Sequence, residues 1–247
     1  MAAIVNIAIN AVRRAGAHIL RERDRLQDNL DIACLQDILQ QTQEVMHEII
    51  LKANPYHHIV GSTETKEADV QWHIEVSGLE NFARKIPHFA IVIVIEEKAK
   101  VLHTVVYDPY CDEIFVASLG NGAKCNQARL RVNSRLSFDN SIIGNYCLQA
   151  GQLNVSSTTQ DIHFYNQGCD ILAMAYVAAG RFDAFVGNNM TWAEVAAGAL
   201  LIKEAGGLVA DLQGGHQYLQ QGELVACYSK IFKLLLQMLL KSEETSC

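Results

Sequence analysis

Proline is nearly absent: Pro55, Pro87 and Pro109 are the only three in 247 residues. So few exclude a polyproline spacer or a proline-rich low-complexity tail, and no Pro- or Ser-rich linker divides the chain. Basic residues are scarce as well. Twenty Lys and Arg stand against 27 Asp and Glu, a net charge of −7. Binding a nucleic-acid backbone needs a Lys/Arg surface, so no direct nucleic-acid surface is expected, although a place inside a protein–nucleic-acid assembly stays open. No apolar run approaches the roughly 20 residues of a membrane helix. The seven cysteines are odd in number and form no C-x-x-C pair. Such a set reads as reduced thiols, not as a zinc site or a disulfide framework. Near the start, helically spaced apolar residues are interrupted by Arg13 and Arg14, unlike a signal peptide. Together these absences predict a soluble cytoplasmic protein with no membrane partner.

What the chain does have is apolar residues, half of its total, enough at this length to bury a substantial core. Ile4, Ile7, Ala8, Ala11, Ala15 and Ile19 recur at helical spacing over 3–21. Leu35, Ile38, Leu39, Val45, Ile49 and Ile50 do so over 32–53, where Asn54-Pro55 stops the helix. Phe89–Ile95 is continuously apolar and β-branched, the pattern of a strand covered on both faces. With Val101–Tyr107 and Glu113–Ala117 it predicts antiparallel hairpins. Beyond Gly144 helices and short strands alternate: helix Cys169–Ala179 closed by Gly180, strand Phe182–Val186, helix Val195–Ala205 closed by Gly206-Gly207, strands Leu208–Asp211 and Leu224–Tyr228, and helix Ile231–Leu240 before a polar tail. The expected architecture is a single α/β unit over 1–247, with two lobes at roughly 1–143 and 144–247.

Residues with chemical potential gather in one stretch, Trp72-His73-Ile74-Glu75-Val76-Ser77-Gly78-Leu79-Glu80-Asn81-Phe82. It resembles the W-x-I-D-P-x-D-G-T-x-N-F motif of the inositol monophosphatase family, with one residue fewer between the acid positions. His88-Phe89-Ala90, Val106-Tyr107-Asp108-Pro109, Gly120-Asn121-Gly122-Ala123, Ala175–Arg181 and Ala196-Ala197-Gly198 with Glu204-Ala205-Gly206-Gly207 continue the resemblance in the same order. Val5-Asn6-Ile7-Ala8, Asp69-Val70-Gln71-Trp72 and Gly214-Gly215-His216-Gln217-Tyr218 are similar to the bacterial SuhB-type branch. The resemblance implies a layered α-β-α-β-α sugar-phosphatase fold, Mg²⁺-dependent phosphatase ancestry and possible homodimerisation. For that branch it also implies a role in ribosomal RNA transcription antitermination, beside elongation and antitermination proteins and RNA polymerase.

The family's chemistry needs several carboxylate oxygens close together to hold Mg²⁺, activate water and neutralise phosphate. By alignment, the first metal-binding Glu falls at Ser62 in Gly61-Ser62-Thr63, with Glu64 displaced by two positions. The two Asp of the motif become Glu75 and Ser77, and the third falls at Glu194, its neighbouring Trp shifted to Trp192. The water-orienting Thr is Leu79, its partner Asp is Leu39, the sugar-gripping acid is Gly187 and the Ser near the substrate ring is Cys169. Glu75 and Glu194 are thus a remnant metal pair, or else solvated or salt-bridged carboxylates at the old cleft. The expected function is that of a catalytically impaired member of the fold acting as a protein-binding factor, with no catalytic or substrate-binding residue assigned and no cofactor; Mg²⁺ is the cofactor of the alternative reading, a phosphatase of inositol monophosphate or a related small sugar phosphate. Among the bland possibilities, His57-His58 point to opposite faces of an extended segment. His73 is a candidate soft-metal ligand beside Glu75, Cys169 reads as a buried thiol, and the Gly120–Gly122 and Gly214–Gly215 turns lack the Lys of a nucleotide loop. Lys233 with Leu234–Leu236 marks a packed amphipathic face or a partner surface.

Overall fold

The computed structural model describes residues 3–25, 32–62, 68–145 and 162–244. Thr63 and Glu64, two positions of the alignment above, lie outside them, as do residues 245–247 of the polar tail. Helices α1 (Ala3–Arg25) and α2 (Ile32–Ala53) pack against a seven-stranded sheet in simple sequential order: β1 (His58–Ile59), β2 (Val70–Ser77), β3 (Ala90–Glu97), β4 (Lys100–Asp108), β5 (Glu113–Ser118), β6 (Gly122–Cys125) and β7 (Ala128–Arg129). All neighbours are antiparallel except β1 and β2. The short helix α3 (Leu79–Ala83) follows β2.

A second sheet is ordered β11-β12-β10-β8-β9, from β8 (Ser141–Asn145), β9 (Ile162–Tyr165), β10 (Ala184–Gly187), β11 (Leu208–Ala210) and β12 (Leu224–Cys227). Helices α4 (Asp170–Ala178) and α5 (Trp192–Glu204) lie between the sheets. The one-turn α6 (Tyr218–Gln221) flanks α5, and α7 (Ser229–Glu244) covers the outer face of the second sheet. This is the layered α-β-α-β-α order expected from the sequence. Among the described residues no helix is long and apolar enough to cross a membrane.

Side-chain alternation explains the layers. In β3, Ile91, Ile93 and Ile95 face α1 and α2, while Ala90, Val92 and Val94 face the central helices, so the whole run is apolar. In β10, Phe185 points to the central layer while Ala184 and Val186 meet Ile231 and Leu235 of α7. Helix α5 is buried all the way from Ala193 to Ile202, as a helix between two sheets must be. Its Gly198 lets α4 come close: a Cβ there would lie 2.2 Å from Met174 Sδ. The buried stripe of α1 runs Val5, Ala8, Ala11, Val12, Ala15 and Ile19, with Ile4 and Ile7 on its flank.

Glu204 of the motif, and Glu113 paired with Arg181, tie the layers. Glu204 accepts hydrogen bonds from Gly120 N and Gly122 N, both 2.7 Å, which fixes the glycine turn of the first sheet onto the end of α5. Arg181, in the turn after α4, forks onto both oxygens of Glu113 in β5 and lies over the Tyr176 ring at 5.2 Å. Asp211 is buried and accepts from the backbone N–H of Gln213, Gly215 and Gln217, which organises the other glycine turn.

The sequence reading did not anticipate β2 or the strands β6 to β9, and α5 begins three residues earlier than its apolar pattern suggested. The β3–β4 hairpin turns on Lys98 and Ala99, both at positive φ (50° and 60°), where Asn-Gly is the relaxed choice. Ala99→Gly is expected to raise the unfolding free energy by about 0.5–1 kcal/mol in a urea titration, because it relieves a left-handed Ala.

Candidate functional site

The degenerate motif lies on β2, one strand in from the edge of the first sheet. Trp72 and Val76 point into the core beneath α1 and α2, and the Trp72 indole donates to His57 Nδ1 at 3.0 Å. His57 therefore anchors a core tryptophan. His73, Glu75 and Ser77 occupy the other face, two residues apart along an unbroken strand. The missing residue explains this: with one residue between them instead of two, positions 75 and 77 share a side, and that side looks at the first turn of α5.

Three contacts run across this gap in register. The His73 ring stacks on Trp192 at 4.1 Å between centroids while Nε2 bonds Glu96 Oε2 at 3.0 Å. Burial holds the His73 pKa below its ordinary value, against the pull of Glu96. The Thr191 hydroxyl donates to Glu75 Oε2 at 2.6 Å, and the Ser77 hydroxyl donates to Glu194 Oε1 at 2.5 Å. Thr191 also caps α5. Its Oγ1 accepts from Glu194 N at 3.2 Å, and its own N–H donates to Glu194 Oε2 at 3.2 Å, a complete capping box. A hydroxyl has a single proton, and the 2.6 Å contact to Glu75 takes it in preference to the 3.4 Å contact with Glu194.

Glu75 and Glu194, far apart in sequence, thus meet at one site with Thr191 between them. A third carboxylate joins them. Asp170, in the first turn of α4, is buried beside Glu194, and burial followed by that repulsion pushes its pKa up to about 8. Burial first, then Glu194, pushes Glu75 up to about 7 against the Thr191 hydrogen bond. Among the described residues none of the three has an ion-pair partner within 4 Å. Cys169 Sγ lies 3.6 Å from Ser77 Oγ, and complete burial raises its thiol to about 12, so it stays protonated and inert at neutral pH.

As arranged, these donors do not fit Mg²⁺. The ion needs close-in oxygens in octahedral array, whereas both oxygens of Glu194 and one of Glu75 already accept protons from the protein. Among the described residues no cluster of three or more His, Cys, Asp and Glu is set to hold a metal ion. His73 is committed to Glu96 and Trp192 rather than to Glu75. The other positions are filled by packing. Leu79 and Leu39 both join the cluster beneath α1 and α2. A side chain at Gly187 would meet the Phe185 ring at 2.6 Å and Met190 at 3.4 Å. Gly61 and Ser62 close the turn after β1, where Ser62 N donates to Ile59 O at 3.2 Å.

Gly78, Asn81 and Phe82, which match the resembled motif, each have a structural role. Gly78 sits at φ 81°, and a Cβ there would press on His88 O at 3.0 Å and Phe89 Cα at 3.1 Å. Asn81 donates to His88 O and Gln167 O at 2.8 and 2.5 Å, joining α3 to both halves of the chain. Phe82 meets Phe89 edge-on. Sequence reasoning missed Thr191 and Asp170. The T-x-x-E spacing of Thr191 and Glu194 before an apolar run was a legible capping signal; Asp170 carried none.

Residues 1–244 match the model of the inositol monophosphatase family. The Nus factor SuhB of Pasteurella multocida (strain Pm70) is 36% identical over 253 residues, 94% of each chain. That of Escherichia coli (strain K12) is 32% identical over 252 residues, again 94% of each. The extragenic suppressor protein suhB of Bartonella henselae superposes with a TM-score of 0.87 at 26% identity, over 97% of this chain and 99% of that one. An IMPase of Thermotoga maritima shares the fold, with a TM-score of 0.83 at 24% identity over 98% of both chains.

A raised carboxyl pKa means that folding takes up a proton. For Glu75 the penalty is absent below pH 4.5, grows as pH rises and is complete above about pH 7. Glu75→Gln, melted in the presence of chelator, is expected to gain about 1–3 kcal/mol over the parent at pH 8 and nothing at pH 4. A gain independent of pH would contradict the burial of a charge at this position.

Proposed function

Since the chain belongs to the inositol monophosphatase family, we propose that it keeps the family's fold as a protein-binding factor without the family's phosphatase chemistry. The observation that carries this reading is the pair of hydrogen bonds from Thr191 to Glu75 and from Ser77 to Glu194, which turn former metal-site positions into an internal seam between β2 and α5. Phosphoester hydrolysis needs an activated water and a positive centre on the phosphate. Here the positions aligned with the water-orienting pair are Leu79 and Leu39, packed against the core, and Glu194 has Glu75 and Asp170 as like-charged neighbours, with no ion-pair partner for any of the three among the described residues. A phosphate dianion entering that cluster would meet like charge.

The setting we infer is ribosomal RNA transcription antitermination in the cytoplasm, with elongation or antitermination proteins and RNA polymerase as partners. Support comes from the relatives named Nus factor SuhB, at 32% and 36% identity over nearly the whole chain. The net charge of −7 fits contact through proteins rather than through RNA phosphates.

Purified protein is expected to release no phosphate above background from myo-inositol 1-phosphate at any Mg²⁺ concentration, and its Tm to be the same in Mg²⁺ and in chelator. The tagged protein is expected to co-purify RNA polymerase or antitermination proteins from its own host. Turnover that rises with Mg²⁺ and disappears in both Glu75→Gln and Glu194→Gln would restore the phosphatase reading.

A further inference from the structure

Next to the seam lies a groove of about 450 Å³ between the β3–β4 hairpin and the α5–α6 corner. Its floor is apolar: Val101 and Leu119 from the first sheet, Leu200 from α5 and Leu219 from α6. Leu119 leaves 39% of its surface uncovered. Trp192 and Tyr218 form the side walls. The volume suits one or two large apolar side chains, the usual size of an anchor in a protein interface.

The rim has a definite charge. Lys100 and Lys203 stand on opposite sides, both exposed, and neither has a carboxylate within 4 Å among the described residues. The Lys203 ammonium donates to the Tyr218 hydroxyl at 2.5 Å and lies 4.7 Å from the ring centroid. The single acid in the lining, Glu96, is already bonded to His73. On a chain with an excess of seven negative charges, this is an apolar cleft whose two free rim charges are positive. The larger groove between α1 and α2 is less selective, because Glu48 sits there among Arg14 and Lys52. The turn Lys98-Ala99, held at positive φ, sets the height of the hairpin wall and so the position of Lys100.

We propose that this groove docks a partner-protein segment in which a Leu or Phe anchor is flanked by Asp or Glu, an inference that rests on the protein-binding reading above. The anchor enters between Trp192 and Tyr218, and its flanking carboxylates meet Lys100 and Lys203. Charge of this kind steers encounter and selects orientation, while the buried anchor supplies most of the affinity. A nucleic-acid strand fits poorly, since two lysines cannot follow a phosphate backbone and the floor offers no donors.

Tryptophan reports the event directly. The chain has two: Trp72 is fully buried and bonded to His57, so any change in quenching by acrylamide belongs to Trp192. The probe is a short fluorescein-labelled peptide alternating Leu and Phe with Asp and Glu, compared with a counterpart bearing Lys and Arg in place of the acids. The acidic peptide is expected to bind by anisotropy and, unlabelled, to shield Trp192. Lys100→Glu with Lys203→Glu is expected to weaken binding about tenfold or more, Leu119→Asp to do the same, and Arg14→Glu on the far layer to change nothing. Circular dichroism and melting of each variant establish that it is folded. Equal binding of the basic peptide overturns the proposal, as does undiminished affinity in the charge-reversed protein. A groove sealed by a second copy also overturns it; sedimentation would then show a dimer that Lys203→Glu dissociates and no peptide binding. Failure of peptide binding in a protein that still co-purifies transcription proteins removes the groove alone. Peptide binding without those proteins removes the antitermination setting alone.

Discussion

The hydroxyl of Thr191 holds the site together, because it sits at the start of the most buried helix and reaches across to strand β2. Its oxygen closes the capping box of α5 while its proton goes to Glu75. One side chain therefore satisfies an orphan amide of the helix and a half-hidden carboxylate of the sheet. In a metal enzyme of this architecture, cations supply the attraction between a carboxylate-bearing strand and a carboxylate-bearing helix. Here hydroxyl donors supply it. Ser77 does for Glu194 what Thr191 does for Glu75.

That substitution works only because the strand is continuous. A step of two residues returns a side chain to the same face, so His73, Glu75 and Ser77 present an aromatic-stacking ring, a carboxylate and a hydroxyl in one row toward Trp192, Thr191 and Glu194. Three residues apart, as in the family pattern, the two positions would face opposite ways on a regular strand. The deletion and the change of Asp to Ser are thus consistent with each other. A second Asp at position 77 would place another negative charge against Glu194 in a pocket that already raises Asp170 and Glu75.

Much of the fold was legible because it rests on periodicity. The apolar run at 89–95 can only be a strand covered on both sides, and the Gly180 and Gly206-Gly207 stops sit where helices need a left-handed or uncrowded residue. What was hidden has a physical reason in each case. Strand β2 mixes Gln, His and Glu with apolar residues because one of its faces meets polar partners on α5 instead of a core, so its alternation reads as a motif rather than as a strand. Strands β7 and β9 are short edge strands with exposed faces and little pattern. The site itself was half legible. The alignment brought Glu75 and Glu194 together across 119 positions of sequence, but its vocabulary was that of metal ligands, and Thr191 is not one. Asp170 sits on a helix whose other residues are apolar, and nothing in its spacing separates it from a solvated first-turn acid.

Positions that match the resembled motifs and positions that differ from them divide along a physical line. Gly78, Asn81, Phe82, Gly198 and Glu204 match the resembled motifs, and each is held by something a change would break: a steric limit, two backbone carbonyls, a ring contact, a helix crossing and two amide donors. Positions 39, 77, 79 and 187 depart from the family pattern, and each now serves packing or an internal hydrogen bond. A site released by random loss would leave buried polar atoms without partners. The seam has none of its six described side chains among the unsatisfied buried atoms, which lie instead at His18, Arg23, Asn54, Asp108, Tyr110 and Asn188. At the edge of the seam Trp192 passes from the His73 stack into the wall of the neighbouring groove, where the lining is largely apolar and Lys100 and Lys203 stand at the rim. One tryptophan thus belongs to both the seam and the groove beside it.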